Sequence, residues 1–518
     1  MRADTRFRRR ATVICASLIA TLCAFSAAWT GVHASSNETA IGNVEGPGGF
    51  KVGHLRFPLT LSSSDGKVRP IDVEVWYPAA REEWAIGEPT AYRSRLWGVT
   101  LNPSTMDPLR FETVSTVARE GVAVKNGGPY PLVLHSHGTN GQPFDVAEVL
   151  EIVASHGYVV AAPWHTGNTN DDLRADAVNA AAGRQLLPCQ NGSRLPQRCL
   201  DANVGRTIAD RVLDLKAVQE NIGALPDTNI GALLNGAVDT SNVAIFGYSR
   251  GGVAAMAAAG GSLAFGVTPM DPRLKGIFAW AGGAPNVMGP VDVHLIDRPA
   301  LFVTSTGDRL IPAADMKSAY DEMPTRDKAI FQLNNATHGS IRSNTCAEMQ
   351  SAGAVQVSNL ALNPPQPTRA FLEINRLNLL LSASAVQTGT AYTYCEFSSF
   401  TTPVDITGLR ASIPSLLPMP PAVPTQLSTV DCVRGTSELL LSFLHVVLNP
   451  SGGAHFSDRG FLNPQFALSH ETAFATAEAA YLPSEQDHDN LYAEHGGGST
   501  DADLEPLVDY DVSSGSGA

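Results

Sequence analysis

Residues 243–252, VAIFGYSRGG, place one serine between glycines directly after an apolar run. The run is Val243–Phe246, and the stretch after the glycines, VAAMAAAG, is rich in alanine, as helices are. An apolar run that ends in glycine and passes into a helix predicts a buried strand followed by a sharp turn. The pattern G-x-S-x-G at such a turn is typical of a nucleophile elbow, which exposes the hydroxyl of Ser249 at the carboxyl end of the strand. The alternative is a structural turn whose glycines serve packing only.

Strands and helices alternate on both sides of this turn. Short apolar runs predict strands at 131–138, 158–165, 241–249, 276–282, 301–308 and 329–338. Helical spacing is found at 144–157, 207–225, 250–260, 312–323 and 437–448. Two alternating stretches, 54–61 and 69–79, predict an antiparallel pair of strands at the start. The predicted fold class is therefore α/β, with a mostly parallel sheet and helices on both of its faces.

Two stretches interrupt this alternation, at 166–206 and 341–436, and both are rich in proline, asparagine, glutamine and serine. We expect them to be long insertions in one α/β domain that spans residues 35–480. The last segment, 481–518, holds nine carboxylates and no lysine or arginine. It is predicted to be a disordered acidic tail in solvent, with contact to a partner as the alternative.

The N-terminus has the pattern of a secretory signal peptide. Five arginines (Arg2, Arg6, Arg8, Arg9, Arg10) precede the apolar run ATVICASLIATLCAF, and Val32-His33-Ala34 resembles an A-x-A cleavage site. We expect residues 1–34 to direct export to the periplasm or the extracellular space, with no stable membrane span after cleavage. The alternative is a membrane anchor, for which the apolar run is short.

The predicted mature chain is strongly acidic. The whole chain has 36 basic and 50 acidic residues, and residues 1–34 hold five arginines and one aspartate. Their removal leaves 31 basic and 49 acidic residues, a net charge of −18. This charge excludes binding to nucleic acid or to anionic lipid through bulk electrostatic attraction.

Five cysteines remain in the predicted mature chain, and all lie in the two insertions: Cys189, Cys199, Cys346, Cys395 and Cys432. No C-x-x-C pair is present, so neither a zinc site nor a thioredoxin-type site is indicated. Because exported proteins form disulfides, we expect Cys189 to pair with Cys199 across a turn that contains Pro188, Asn191, Gly192 and Pro196. The first insertion would then be a stapled partial lid. The alternative is that one of these two cysteines pairs with Cys346, Cys395 or Cys432.

A serine hydroxyl needs a base to act as a nucleophile at neutral pH, and the base needs an orienting acid. In folds that carry a nucleophile elbow, the chain order is serine, acid, histidine. Asp308 ends the strand ALFVTSTGD, and His338 ends AIFQLNNATH, so both fall where loops carry chemistry in open α/β sheets. We predict Ser249, Asp308 and His338 as the catalytic residues.

The stretch 135–141, HSHGTNG, follows an early strand. His135 and His137 share a face of that strand, which would suit a metal, but no further ligand lies at the right spacing. The better interpretation is an oxyanion loop, with Thr139 and Arg250 as backbone donors and the two histidines as hydrogen-bonding braces. No metal and no cofactor is expected. Trp164 ends the strand 158–165 and is interpreted either as a substrate-binding residue or as a packed core residue.

Several of these motifs together resemble a known family. The stretches FPLTL, DVEVWYPA, PLVLHSHG, GYVVAAPWHTGNT, FGYSRGG, STGD and ATHG are similar to those of α/β-hydrolases of the dienelactone-hydrolase-like group. Within that group they are most similar to the branch of platelet-activating-factor acetylhydrolases and cutinase-like polyester hydrolases. The resemblance covers roughly residues 50–340 and the helix at 437–448. True dienelactone hydrolases have a cysteine nucleophile, and this chain has Ser249.

The resemblance implies an α/β-hydrolase fold and an exported serine hydrolase that cleaves carboxylic esters. It gives the roles of nucleophile, acid and base to Ser249, Asp308 and His338, and those of oxyanion donors to Thr139 and Arg250. The expected substrate is a small-molecule or lipid ester. The alternatives are a phospholipid acetylhydrolase or lipase-like enzyme, and a catalytically inactive hydrolase fold that serves as a binding protein.

Overall fold

One mixed sheet of eleven strands forms the centre of the part of the chain that the computed structural model describes. The described residues are 44–93, 112–139, 141–169, 197–225, 231–282, 291–308, 311–336, 338–341, 391–392, 404–405, 427, 429–448, 462–470 and 473–480. The chain divides into two compact units, Met1–Ile41 and Gly42–Ala518, and all of the described residues belong to the second.

The strands of this sheet and of a separate two-stranded pair follow each other along the chain. They are β1 Lys51–Ser62, β2 Val68–Ala79, β3 Pro89–Arg93, β4 Glu112–Glu120, β5 Tyr130–Ser136, β6 Val159–Pro163, β7 Val238–Tyr248, β8 Leu274–Trp280, β9 Ala300–Ser305, β10 Lys328–Leu333, β11 Ala391–Tyr392, β12 Val404–Asp405 and β13 Phe474–Ala479. Strands β11 and β12 pair only with each other. The remaining strands all belong to the large sheet.

Eight α-helices are found among the described residues. They are α1 Arg81–Ile86, α2 Ala147–Ser155, α3 Gln197–Asn221, α4 Gly231–Leu234, α5 Arg250–Gly260, α6 Ala313–Glu322, α7 Thr429–Leu448 and α8 Pro464–His470. Short 3-10 helices lie at Pro143–Val146, Leu263–Phe265 and Val293–Leu295.

The strand order is β13-β10-β9-β8-β7-β5-β6-β2-β1-β4-β3. The six strands from β10 to β6 in this order run parallel to their neighbours, and β2 joins β6 in the antiparallel sense. The chain moves outward in one direction from β5 to β6 and in the other from β7 to β10. The reversal lies between β5 and β7, and in open α/β sheets ligands bind outside the carboxyl ends of the strands at such a point.

Both faces of the sheet are covered by helices, and a hydrophobic core lies on each side. Helices α2 and α7 pack into one core. Helices α3, α5 and α6 pack into the other. Because they are covered on both faces, β5, β6, β9 and the last six residues of β7 are buried throughout, which explains their apolar runs. The predicted α/β class, with a mostly parallel sheet between two helical layers, is confirmed.

Two helices begin earlier than the sequence predicts. Helix α3 begins at Gln197, ten residues before the predicted start, and α7 begins at Thr429 instead of 437. The ends of both predicted insertions therefore belong to helices. Most of the remaining insertion residues, as well as the predicted signal peptide and acidic tail, lie outside the described residues, so these assignments stay predictions.

The structure changes one of the disulfide alternatives. Cys432 is a free thiol buried in the core on α7, so its pairing with a cysteine of the first insertion is wrong. Burial raises the pKa of this thiol, which keeps it protonated. Cys189, Cys346 and Cys395 and the side chain of Cys199 lie outside the described part of the chain, and the Cys189–Cys199 disulfide stays a prediction.

Within the described ranges, no helix is long and apolar enough to span a bilayer.

A buried glutamate in the first turn of α2 makes the stability of the fold depend on pH. Glu148 is only 8% exposed, and its Oε2 atom has no hydrogen-bond partner among the described residues. Burial, assisted by the neighbouring Glu151, raises the pKa of Glu148 from 4.5 to about 8. Between these two values the folded chain keeps the proton and the unfolded chain loses it. Stability therefore falls as the pH rises through this window.

We expect Glu148→Gln to remove this loss, because a neutral amide has no proton to lose. The variant should differ little from the natural protein at pH 4.5 and should be more stable by about 2–3 kcal/mol at pH 7, since the slope approaches about 1.4 kcal/mol per pH unit. Urea unfolding at both pH values measures the difference. Glu82→Gln, on the exposed side of α1, is the control. A gain of equal size at both pH values would contradict the assignment.

Candidate active site

The turn between β7 and α5 holds Ser249 in a strained backbone conformation. Its φ is 55° and its ψ is −123°, a region that residues with a side chain rarely adopt. Two glycines around it are required by close contacts. A Cβ on Gly247 would lie 2.2 Å from the carbonyl oxygen of Gly251, and one on Gly251 would lie 1.7 Å from that of Ser136. The turn and its contact with the end of β5 therefore need glycine at both positions.

The structure brings the three predicted catalytic side chains together. His338 Nε2 lies 2.9 Å from Ser249 Oγ, and His338 Nδ1 lies 2.8 Å from Asp308 Oδ2. The other carboxylate oxygen of Asp308 accepts a hydrogen bond of 2.8 Å from the backbone N–H of Ile311. With Nδ1–H donating to the carboxylate, Nε2 is left to accept the serine proton. The arrangement can thus pass a proton from the hydroxyl to the imidazole.

His338 is held by aromatic neighbours as well as by its polar contacts. The hydroxyl of Tyr248 donates a 2.7 Å hydrogen bond to the backbone oxygen of His338, and the two rings lie 5.4 Å apart. The ring of Trp280, at the end of β8, lies 6.5 Å from the imidazole. The three predicted side chains belong to residues that are at most 6% exposed. A largely water-excluded imidazole with a fixed backbone keeps its orientation toward Ser249.

The two predicted oxyanion donors lie side by side. Arg250 Nε donates a 2.9 Å hydrogen bond to Thr139 Oγ1. Arg250 is the first residue of α5, so helix geometry leaves its backbone N–H without an acceptor within the helix. The loop also packs closely on the turn, because a Cβ on Gly138 would lie 3.3 Å from Ser249 Cβ. The loop that carries Thr139 is therefore in contact with the turn that carries Ser249.

The two histidines of the loop contact backbone carbonyls. His135 Nδ1 donates to the oxygen of Phe246 at 3.0 Å, and His137 Nδ1 donates to that of Gly138 at 2.8 Å. Burial lowers the pKa of His135 to about 3, so its ring is neutral. These contacts match the bracing role expected for the pair. The described residues contain no cluster of three or more histidine, cysteine or acidic side chains arranged to hold a metal.

Trp164 packs in the core. Its side chain is fully buried, its indole N–H donates to Glu74 Oε1 at 2.8 Å, and its ring meets that of Phe144 edge to face at 5.5 Å. The substrate-binding interpretation is therefore corrected to the core alternative. The sequence shows an aromatic residue at a strand end, but whether that residue faces a pocket depends on which side chains lie opposite.

A buried arginine that contacts the predicted oxyanion loop was not expected from the sequence. Arg211 lies on α3 and is fully buried, as is Asp214 one turn further on. The sequence does contain a pattern that could have indicated it, because Arg211 and Asp214 fall on the helix face whose apolar positions include Ile208 and Leu215. A charged residue on an apolar stripe is a candidate for a buried polar contact.

No family model matches the chain, and no curated protein matches it. Among solved structures, the chain is similar to a ferulic acid esterase from Streptomyces cinnamoneus, with 16% identity over 77% of this chain and 91% of that chain and a TM-score of 0.41. So low a similarity does not identify a reaction, and the function has to follow from the geometry of the site.

Proposed function

We propose that this chain is an α/β-hydrolase that cleaves carboxylic esters through an acyl-enzyme. The observation that carries the proposal is the hydrogen-bonded series from Ser249 Oγ through His338 to Asp308, next to the first N–H of α5. It lies outside the carboxyl ends of the parallel strands, beside the reversal of strand order. A general base, its orienting acid and a helix N-terminus around one serine are the requirements of acyl transfer.

In the first half of the reaction, His338 Nε2 takes the proton of Ser249 as Oγ attacks the ester carbonyl. The carbonyl oxygen becomes negatively charged, and the backbone N–H groups of Thr139 and Arg250 stabilise it. His338 then gives the proton to the leaving alcohol, and the acyl group stays on Oγ. The carboxylate of Asp308 keeps the imidazole in the correct tautomer and stabilises its charged form.

In the second half, water takes the place of the alcohol. His338 removes a proton from the water, which attacks the acyl carbonyl, and the same two N–H groups stabilise the second tetrahedral intermediate. The carboxylic acid leaves when Oγ regains its proton from His338. The residues return to their starting state, and no cofactor or metal is needed for any of these steps.

The experiment that tests the proposal combines covalent labelling with turnover. A fluorophosphonate probe should label the natural protein and not Ser249→Ala, and the natural protein should hydrolyse p-nitrophenyl esters. A screen of increasing acyl length then separates a short-chain esterase from a lipase-like enzyme. A protein that is folded but neither labels nor hydrolyses any ester would favour the hydrolase-fold binding protein.

We also propose export through residues 1–34 and a disulfide between Cys189 and Cys199. Closing so short a loop stabilises by about 2–3 kcal/mol in the chain-entropy model. We expect non-reducing peptide mapping of the exported protein to find these two cysteines in one linked pair. A peptide that links either of them to Cys346 or Cys395 would contradict the pairing.

A further inference from the structure

The guanidinium of Arg211 lies beneath the loop that carries Thr139. Its Nη1 donates to the hydroxyl of Ser136 at 3.0 Å and to the backbone oxygen of His137 at 2.5 Å. Its Nη2 donates to the backbone oxygen of Gly138 at 3.1 Å and to the side-chain oxygen of Asn168. One side chain therefore contacts three consecutive residues immediately before Thr139.

These contacts continue into a buried polar network on the other side of Ser136. His165 Nε2 lies 2.9 Å from Ser136 Oγ, and His165 Nδ1 lies 2.8 Å from Asp214 Oδ2. Asp214 also receives two hydrogen bonds from Arg69. Burial lowers the pKa of His165 well below its ordinary value, so the ring is neutral and has one N–H.

The protons of this network can be assigned consistently. Burial raises the pKa of Asp214 to about 7, so above that pH the group is a carboxylate. His165 Nδ1–H then donates to this carboxylate, and Nε2 accepts from the hydroxyl of Ser136. The hydroxyl oxygen of Ser136 is then free to accept from Arg211. In the series Asp214–His165–Ser136–Arg211, each hydrogen bond then has one donor and one acceptor. A fully satisfied series of this kind favours a single rigid arrangement.

The peptide bond between Gly138 and Thr139 explains why this rigidity bears on the site. It is not among the cis peptide bonds of the described residues, and in a trans peptide the C=O and the next N–H point in opposite directions. The oxygen of Gly138 accepts from Arg211 Nη2, and also from His137 Nδ1 and the N–H of Gly141. Because that oxygen is held toward these donors, the N–H of Thr139 must point to the opposite side. Gly138 itself packs against the nucleophile turn, because a Cβ on it would lie 3.0 Å from the ring of Tyr248 and 3.3 Å from Ser249 Cβ.

We propose that Arg211 is a positioning residue for the oxyanion loop: by binding the carbonyls of His137 and Gly138 it aims the N–H of Thr139 at the developing oxyanion. This inference rests on the proposed ester hydrolysis. Arg211 does not touch the reacting atoms, and its effect reaches them through the peptide group that it orients. Its loss should weaken stabilisation of the transition state more than binding of the substrate.

The test compares Arg211→Lys and Arg211→Met with Arg298→Met. Arg298 also donates to two backbone carbonyls, those of Met270 and Asp271, but it lies before β9, at the amino ends of the strands and away from the site. Active sites are counted by titration with a fluorophosphonate, so that kcat refers to folded, reactive molecules only. The affinity for an alkyl boronic acid, which forms a tetrahedral adduct with serine, is the second readout.

We expect Arg211→Met to lower kcat per active site by about 10²–10³, the size of the loss of one oxyanion donor, with KM changed less than threefold. Arg211→Lys should lower kcat at least about tenfold, because an ammonium keeps the charge but lacks the planar fork that holds two carbonyls. Affinity for the boronic acid should fall in parallel. Arg298→Met should keep the natural kcat.

A kcat per active site within twofold of the natural value in Arg211→Lys would overturn the proposal. So would a failure of both Arg211 variants to fold, since the arginine would then be a structural residue alone. If Ser249→Ala were still active, the proposed function itself would be wrong. If Ser249→Ala were inactive while Arg211→Lys kept full kcat, only the role of Arg211 would be lost.

Discussion

Replacing Ser249 with alanine is expected to abolish ester hydrolysis and leave the fold intact. Loss of the nucleophile of a serine triad lowers kcat by about 10⁶. Folding should survive because alanine meets the same strain as serine at a φ of 55°, and the small side chain adds no new contact. Among the described residues, the only hydrogen bond that the Ser249 hydroxyl makes is the one to His338 Nε2.

Turnover of a p-nitrophenyl ester measures the loss of activity, and a thermal unfolding curve shows whether the fold is intact. Ser318→Ala, which makes the same chemical change on the exposed surface of α6, is the control and should keep full activity. If Ser249→Ala kept more than about one part in a thousand of the natural kcat, with contamination excluded by a second preparation, Ser249 would not be the nucleophile.

The second large effect is expected at the base and the acid, which should act as one unit. We predict that Asp308→Asn lowers kcat by about 10⁴ and His338→Ala by about 10⁶. The double variant should be no worse than His338→Ala alone. The reason is that Asp308 acts only through the imidazole, since its carboxylate accepts the Nδ1–H of His338 at 2.8 Å.

Two further variants are matched controls for this pair. Asp321→Asn and His294→Ala replace exposed residues of the same types that are poorer candidates by their place in the chain, and both should keep the natural kcat. Losses that multiplied in the Asp308→Asn, His338→Ala double variant would mean that the two side chains contribute independently. In that case the series of contacts from Ser249 to Asp308 would not describe the mechanism.

The fold class was predictable because the central strands are buried on both faces. Such strands have apolar runs that do not depend on their partners, and β5–β10 were all found near their predicted positions. The strands β3, β4 and β13 were not predicted. They lie toward the two edges of the sheet, and β13 is sustained by β10 through pairs such as Thr476 and Gln332, 144 residues apart. A half-exposed strand has a weak local signal, so distant pairing decides that it forms.

The meeting of Ser249, Asp308 and His338 was predictable for a related reason. Parallel strands have their carboxyl ends at one edge of the sheet, and the three residues follow β7, β9 and β10. Chain order and strand ends were therefore enough to name the side chains that come together. Their hydrogen bonds and the strain at Ser249 are properties of the folded turn.

The tertiary structure alone decided what Trp164 and Arg211 contact. Trp164 lies in the core, where Glu74, 90 residues earlier in the chain, accepts its indole N–H. Arg211 contacts the loop after β5 because α3 packs against the sheet beside β5, and this packing brings the oxygen of His137, 74 residues away, within hydrogen-bonding distance. Local sequence patterns predict which secondary structure a segment forms and which of its side chains are buried. The partner of a buried polar group is decided by how whole elements pack, and those elements are far apart in the sequence.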